Sequence, residues 1–575
     1  MRSKYLARLL VLSLLSVVYL EVTVLAAPST PVVEAAKTGD LKALQAAIAR
    51  ADVNLPENDG TTALHWAVKR GEPASVDLLL KAGAKVEATT RYGVTPLYMA
   101  ARRGDSGIID RLIKAGANPK GAMPDGETAL MTAALSGHAD AVKVLVTHGA
   151  ELNATDPTRG QTALMWAASA NKAAVVKALL DLGADFTIKS KPLGVGGPRQ
   201  RGQSGGYTAF LYAVRSGAID ATRALLDGGA DVNDTTPDKT SALLVATINA
   251  NYELAAMLLD RGADAKAAGQ GWTALHELTF APHPNTGGNL PGANPSGKVG
   301  YLELAKKLVE HGADINARLT KEATIPGRQL MNRIGATPFL LAAKVADVPL
   351  MKVFKELGAD PLLVTVEEDT PFMAAAGVGL SGAGENAGSN EEAIEAVKYI
   401  LSLGPDVARV NAINTIGNTA MHGAVIRSSL PLIQMLADLN VALDVRNKPD
   451  KRYNGGAEYA NVLGGWTPLE IADGVIYQDT WRQDPDAAKL IRKLLAERGL
   501  PAPQPVYVNH QTGLAEVRRV GEQPAGAAEK IDAGLGKVDA KDNVDRRRAA
   551  PSGPAPKVEP TPVKKVEPAP VKKPQ

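Results

Sequence analysis

Short apolar stripes at helical spacing recur along most of the chain. One stripe carries Val76, Leu79 and Leu80 and is followed by Gly83-Ala84. Residues spaced by three and four positions share one helix face, and Gly after such a stripe favours a left-handed helix end. An Ala-rich segment precedes each stripe. The pattern therefore predicts pairs of short helices, the first Ala-rich and the second apolar on one face.

The segment TTALHWAV at residues 61–68 opens one of these units, and its pattern returns at a fixed period. Its second threonine is followed by others in steps of 33, 33 and 34 residues: Thr62, Thr95, Thr128 and Thr162. More divergent copies continue to TPLEIAD at residues 467–473. A fixed period in this range indicates stacked units that bury a core only against their neighbours.

The repeated phrase resembles the ankyrin repeat, whose signature is T-P-L-H-x-A near the start of a 33-residue unit. The resemblance covers about 470 of the 575 residues and implies an all-α solenoid of about 11–12 units with β-hairpin loops. We expect a capping repeat at 32–58, followed by four regular repeats at 59–91, 92–124, 125–157 and 158–187. Residues 188–270 should hold a hairpin insertion and two repeats, at 204–236 and 237–269. Residues 271–500 should form irregular repeats with long insertions and a C-terminal cap.

A threonine and a histidine mark the start of the first helix in several copies. In the family this histidine bonds to nearby backbone and steadies the turn, so the resemblance implies a structural role for His65. Tyr98 and Met131 occupy the same slot elsewhere, which excludes a shared metal site or catalytic base. The residues expected to build these turns are Thr62, His65, Thr95, Thr128, Thr162, Thr273, His276, Thr419 and His422.

The resemblance also implies that first helices and hairpin tips line a concave face. The residue after the histidine slot should face this groove, with those three and four positions further on. Trp, Tyr and Arg often anchor interfaces, although each aromatic side chain could equally pack against the adjoining repeat. The candidate partner-binding residues are Trp66, Lys69, Arg70, Tyr92, Met99, Arg102, Arg103, Trp166, Tyr207, Tyr212, Arg215, Trp272 and Trp466.

Four of these candidates are cations at equivalent positions of adjacent repeats. Stacking should bring Lys69, Arg70, Arg102 and Arg103 together. Either they recruit an acidic protein surface or they form a solvated basic face. The first interpretation predicts a non-enzymatic scaffold, acting as a monomer, that binds a protein partner through its groove.

The two ends of the chain differ from the repeats. Arg2, Lys4 and Arg8 precede an apolar run at 9–20 and the small-residue site VLA at 24–26, which is typical of a signal peptide over residues 1–26. We expect export to the periplasm or secretion; the alternative is an inner-membrane anchor through an uncleaved segment. The absence of cysteine suits export into a bacterial periplasm, where an oxidising system makes free thiols a liability.

Residues 501–575 are rich in Pro and Lys and end in the octads VEPTPVKK and VEPAPVKK. This composition predicts a disordered tail. Net charge is +3 overall, with +2 in the first 26 residues and +4 in the tail, which leaves the repeats slightly acidic and disfavours specific nucleic-acid binding. The alternative function is therefore structural: an envelope tether whose basic tail contacts anionic envelope components.

Catalytic and cofactor motifs carry little weight in this sequence. GVGLSG at 377–382 matches G-x-G-x-x-G, but it follows a helix where a dinucleotide site requires a strand. PHP at 282–284 is a lone histidine between prolines. We expect no enzyme activity, no cofactor and no metal.

Insertions lengthen the hairpins at about 188–205, 318–334 and 446–464, and lengthen the helix-to-helix turns at about 281–299, 379–391 and 476–485.

Overall fold

The computed structural model describes residues 30–192, 205–281, 297–321, 331–380, 388–448, 465–477, 480–482, 484–503, 506–508 and 515–517. The predicted signal peptide, most of the insertions and most of the C-terminal tail lie outside these residues, as do the PHP segment and the end of GVGLSG.

Twelve pairs of short helices follow one another through the described residues, which confirms the expected solenoid. The first helices of the pairs are α1 (Pro31–Thr38), α3 (Ala63–Arg70), α5 (Pro96–Arg103), α7 (Ala129–Ser136), α9 (Ala163–Ser169), α11 (Ala209–Arg215), α13 (Ala242–Ile248), α15 (Ala274–Glu277), α17 (Pro338–Lys344), α19 (Pro371–Ala376), α22 (Ala420–Ile426) and α24 (Pro468–Gly474).

The second helices carry the apolar stripes. They are α2 (Leu41–Ile48), α4 (Pro73–Lys81), α6 (Ser106–Lys114), α8 (Ala139–Thr147), α10 (Ala173–Asp181), α12 (Ile219–Asp227), α14 (Tyr252–Asp260), α16 (Tyr301–Glu310), α18 (Val348–Glu356), α20 (Asn390–Ser402), α23 (Leu430–Asp438) and α25 (Pro485–Glu497); the short α21 (Pro405–Ala408) follows α20.

Local sequence signals set where the first helices begin and end. Thr95 is an N-cap whose side chain accepts from the backbone N–H of Tyr98, and Pro96 occupies the first helical position. Proline suits that position because its missing N–H has no partner in the first turn anyway. Gly104 ends the helix at φ 79°, in the left-handed region. The repeated threonine is therefore a helix start, as the sequence predicts.

Small residues let successive first helices approach closely. Each first helix packs against the first helix of the next repeat, from α1 through to α24. Between α19 and α22 the contact is so close that a Cβ on Gly423 would stand 2.5 Å from the backbone nitrogen of Val378. Val76 and Leu79 of α4 are fully buried, as are the equivalent residues of later stripes, so one core runs through the array.

Asparagine clamps join the loops that follow the second helices. The side chain of Asn233 accepts from the backbone N–H of Asp264 at 2.8 Å and donates to the carbonyl of Gly262 at 3.5 Å. Asn54, Asn316 and Asn411 make the same pair of contacts with the next repeat. The repeat pattern did not predict these clamps. Their signal, present for Asn233 and Asn316, is an asparagine three residues after the Gly-Ala pair.

Hairpin loops are also tied together from repeat to repeat. The backbone N–H of Arg91 donates to the carbonyl of Asp59 at 2.7 Å, and Lys191 donates to Arg159 at 2.7 Å. These bonds fix the loop tips relative to one another and leave the side chains to project from them.

Two antiparallel hairpins lie near the C-terminal end of the described chain. Strands β1 (Val475–Tyr477) and β2 (Thr480–Arg482) form the first, within the insertion expected at 476–485. Strands β3 (Val506–Val508) and β4 (Ala515–Val517) form the second. Both strands lie within residues 501–575, which the sequence predicts to be disordered; Val506, Tyr507 and Val508 are of the β-branched and aromatic types that are enriched in strands.

Candidate functional site

The threonine–histidine turns form hydrogen bonds within each turn and to the next repeat. The backbone N–H of Thr62 donates to His65 Nδ1 at 3.1 Å, and the Thr62 side chain accepts from the backbone N–H of His65. His65 Nε2 reaches the carbonyl of Val94 in the next repeat, at 3.0 Å. Thr128 and Thr162 cap their helices without a histidine, by accepting from Met131 and Met165.

His276 and His422 repeat this arrangement. Their Nδ1 atoms accept from the backbone of Thr273 and Thr419, and their Nε2 atoms reach the carbonyls of Ala336 and Trp466, each at 3.2 Å. Burial lowers the pKa of each imidazole to about 4. Protonation of Nδ1 would set its N–H against the backbone N–H of the threonine, which already donates to that atom. These histidines are therefore neutral and tie adjacent repeats together.

The groove face, defined here as the fourth and seventh residues after each repeat threonine, is open in the N-terminal half of the array. Trp66 is half-buried there, and its indole N–H donates to Glu57 Oε2 at 2.6 Å. The ammonium of Lys69 lies 4.2 Å from the centre of the Trp66 ring. Lys37 also reaches this cluster, with Nζ 2.6 Å from Glu57 Oε1.

Arg70 and Arg103 are corrected from partner-binding candidates to ties between repeats. Arg103 Nη1 donates to the carbonyl of Lys69 at 2.7 Å, and Arg70 Nη1 donates to the carbonyl of Lys37 at 3.0 Å. Each guanidinium therefore caps the C-terminal end of the preceding first helix, where carbonyls lack helical partners and cations are favoured. The expected cluster of four free cations thus reduces to Lys69 and Arg102, both exposed.

Tyr92 and Met99 lie near these cations. Tyr92 is 65% exposed at a hairpin tip, and Arg91 stacks on its ring at 4.7 Å while donating to its hydroxyl at 2.7 Å. Met99 is half-buried against the core. Tyr92 is therefore available to a partner, whereas Met99 presents only part of its side chain.

The structure brings three predicted residues together in one concave pocket. Trp166, Tyr212 and Arg215 line a cavity of about 460 Å³ with two polar residues of a hairpin, Arg159 and Gln161. The remaining lining residues are Leu135, Ser169, Ser216 and Asn249. The volume lies within the range of ligand pockets, and the lining holds two arginines and no carboxylate.

Three other aromatic candidates are buried, which corrects their placement at exposed hairpin tips. Tyr207 is fully buried, with its ring 5.6 Å from that of Tyr212 and its backbone bonded to Ser190. Trp272 donates to Glu277 at 3.1 Å within a second apolar cluster. Trp466 is held by the backbone and side chain of Asn447. These side chains stabilise the loops and offer no surface to a partner.

In the C-terminal half, the chain's own insertions cover the groove face. Leu341 and Ala374 occupy groove positions but are fully buried in the second apolar cluster, with Leu319 and Met331 of an insertion. Lys344 donates to the carbonyl of Gly379 at 3.0 Å, and Arg427 donates to the carbonyl of Gly388 at 3.2 Å. On α13 the groove position Val245 is already buried and Ile248 packs against the second apolar cluster, so the open groove face runs from α3 to α11.

Within the described residues, no group of three histidine and acidic side chains is arranged to hold a metal ion. The same residues include no helix that is long and apolar enough to cross a membrane.

Comparison with known proteins agrees with the repeat geometry. Residues 32–122, 97–190, 193–268 and 210–285 match the family model described as Ankyrin repeats (3 copies). The chain is 27% identical to the human ASB11 ankyrin repeat domain, a crystal structure, over 37% of this chain and 90% of that one, with a TM-score of 0.32. No curated protein matches the sequence. The family match and the helix pairs described above show the ankyrin-repeat solenoid fold.

Proposed function

We propose that this chain is a non-enzymatic scaffold of the cell envelope that binds a protein partner in the open groove that runs from α3 to α11. The observation that carries the proposal is the concave pocket of Trp166, Tyr212 and Arg215. Aromatic and arginine side chains in a partly desolvated depression are the usual anchors of protein interfaces.

Charge favours an acidic surface on the partner. The exposed groove cations Lys69, Arg102 and Arg159 have no ion pair within the described part of the chain, whereas Arg70 is paired with Glu72 at 2.7 Å. Cations of this kind steer an acidic partner and raise its association rate. The scaffold acts as a monomer in this proposal, because one groove suffices for one partner.

Export rests on the N-terminal segment, with its basic residues, apolar run and VLA site. An uncleaved segment would instead anchor the chain to the inner membrane. The basic tail would supply a second contact with anionic envelope components, as the tether alternative requires. The N-terminal residues of the purified protein, read by sequencing, decide between cleavage near Ala27 and retention of Met1.

The test of the scaffold is capture of the partner from envelope extracts, identification by mass spectrometry, and titration with purified partner. The double variant W166A/Y212A should weaken binding at least tenfold. Tyr399→Ala is the matched control, because Tyr399 is a half-buried aromatic on the second helix α20, outside the groove.

A third variant addresses the tail. Replacing Lys564, Lys565, Lys572 and Lys573 by Gln should leave partner affinity unchanged. Loss of binding in the tail variant, with full binding by W166A/Y212A, would favour the envelope tether and overturn the scaffold.

A further inference from the structure

The first and fourth copies of the repeated phrase each place a tryptophan on the groove face. Trp66 and Trp166 both stand four residues after the repeat threonine, on α3 and α9, and both are half-buried. The two sites differ in what surrounds the indole, and this difference indicates what the pocket at Trp166 binds.

At Trp66 the chain supplies its own carboxylate. Glu57, five residues before the repeat threonine, accepts from the indole N–H at 2.6 Å and pairs with Lys37 at 2.6 Å. Lys69 lies against the ring at 4.2 Å. The Glu57 carboxylate is thus held between the Trp66 indole and the Lys37 ammonium, while the Lys69 ammonium lies over the ring.

At Trp166 the position equivalent to Glu57 is Pro157, which offers no carboxylate. The Trp166 indole N–H is buried and has no hydrogen-bond partner among the described residues. Two cations are nevertheless present, because Arg159 and Arg215 line the same cavity. Neither arginine has an ion pair in the described part of the chain.

Neighbouring contacts hold the pocket in shape. The Arg215 guanidinium lies 5.8 Å from the centre of the buried Tyr207 ring, and Tyr207 meets Tyr212 edge to face at 5.6 Å. The Asp156 carboxylate accepts the backbone N–H groups of Arg159 and Gln161, which fixes the hairpin that carries them. Asp156 is buried and bonded to the backbone of this hairpin, and it forms no ion pair with Arg159 or Arg215. Both guanidinium groups can therefore pair with a ligand.

We propose that this pocket holds a glutamate or aspartate side chain from an extended acidic segment of the partner, in the place that Glu57 takes beside Trp66. Arg159 and Arg215 donate to the carboxylate, and Trp166 and Tyr212 form the walls. Guanidinium groups match carboxylates in geometry and bind them through charge-assisted hydrogen bonds. The inference rests on the proposed scaffold function and adds the chemistry of the partner's anchor.

The test uses the full chain and three synthetic peptides with blocked ends: (Glu-Ala)₅, (Gln-Ala)₅ and the phosphoserine analogue (pSer-Ala)₅. Calorimetry at low salt should show binding of (Glu-Ala)₅ and at least tenfold weaker binding of (Gln-Ala)₅. The indole ¹H–¹⁵N resonance of Trp166, assigned with Trp166→Phe, should shift on titration. Equal binding of the Gln peptide, tighter binding of the phosphopeptide, or an unmoved Trp166 resonance would overturn the proposal.

Paired variants separate the pocket from general electrostatics. R159Q/R215Q should weaken (Glu-Ala)₅ binding at least tenfold, whereas K143Q/K177Q, which removes two exposed cations from the second helices α8 and α10, should change it less than twofold. Circular dichroism checks that both variants fold. Equal losses of affinity for (Glu-Ala)₅ in the two double variants would contradict a specific pocket.

The captured partner distinguishes this inference from the scaffold itself. If W166A/Y212A lowers the affinity for the partner but R159Q/R215Q does not, the scaffold function holds and the carboxylate anchor is refuted. If W166A/Y212A leaves the affinity for the partner unchanged, the scaffold function is refuted. The peptide titrations then still decide whether the pocket binds a carboxylate.

Discussion

Arg103 Nη1 donates to the backbone carbonyl of Lys69 at 2.7 Å, across the boundary between two repeats. The adjacent Arg102 is exposed and makes no such bond in the described structure. One arginine of the pair therefore ties the repeats together and the other is available for binding, although the sequence presents them side by side.

This contrast predicts different effects on stability. Arg103→Gln should lower the free energy of unfolding by about 1 kcal/mol, since an exposed charge-assisted hydrogen bond at a helix end is worth about that much. Arg102→Gln should change it by less than about 0.5 kcal/mol. Urea titrations followed by circular dichroism measure both. Equal stability of the two variants would contradict the assignment of Arg103 as a tie.

The repeat pattern predicted the fold and the turns because it appears many times. The threonine cap and the histidine tie depend on residues three positions apart, and local spacing is directly visible in a sequence. The burial of Tyr207, Trp272 and Trp466 was not visible, because it depends on which insertion or neighbouring loop folds over each ring.

The binding residues were predicted in part for the same reason. Helix periodicity placed Trp166, Tyr212 and Arg215 on one face, and the structure brings them into one pocket. Arg159 stands three residues before its repeat threonine, at the position that Tyr92 takes in its own repeat, but it was missed because only aromatic residues were considered at the hairpin tips. The roles of Arg70 and Arg103 depend on how far a guanidinium reaches into the previous repeat, which residue spacing does not give.

The buried histidines predict how stability depends on pH. His276 and His422 have a pKa lowered to about 4 in the folded chain, against about 6.5 when unfolded. The unfolded chain therefore binds more protons between these values. Stability should be fully present above pH 6.5 and should fall as the pH drops toward 4, by up to about 3 kcal/mol per histidine.

Thermal unfolding between pH 4 and 8 measures this slope. H276Q/H422Q should be less stable than the unmodified chain at pH 7.5, because the ties are lost. Its stability should, however, fall less than that of the unmodified chain as the pH is lowered. His138→Gln is the control, since His138 is half-buried over Gly104 and makes no side-chain hydrogen bond in the described chain. An acid slope that stays unchanged in the double variant would refute the role of the two histidines.

The close approach of α19 and α22 predicts a sensitive glycine. A Cβ on Gly423 would stand 2.5 Å from Val378 N and 2.7 Å from Gly377 C, both backbone atoms. Gly423→Ala should therefore destabilise the array by about 1–3 kcal/mol through overpacking. Gly300→Ala is the matched control, because nothing lies within 4 Å of its added Cβ. Urea midpoints that agree for the two variants would show that the helices are not in close contact.

The exposed cations of the groove predict an effect on association. K69E/R102E should slow binding of the captured partner about tenfold at low salt, while dissociation changes little. Raising the salt concentration should reduce the difference, because screening weakens long-range attraction. Stopped-flow mixing measures the rates, and K143E/K177E on the second helices is the control. An association rate that is independent of salt would contradict electrostatic steering.

Hydrogen–deuterium exchange of the full chain, with and without its captured partner, tests the central claim most directly. Because the groove face is open from α3 to α11, the partner should slow exchange in the hairpin at Arg159 and along the first helices α9 and α11. Slowed exchange confined to the second helices, or to residues after 297, would contradict an open N-terminal groove as the binding site.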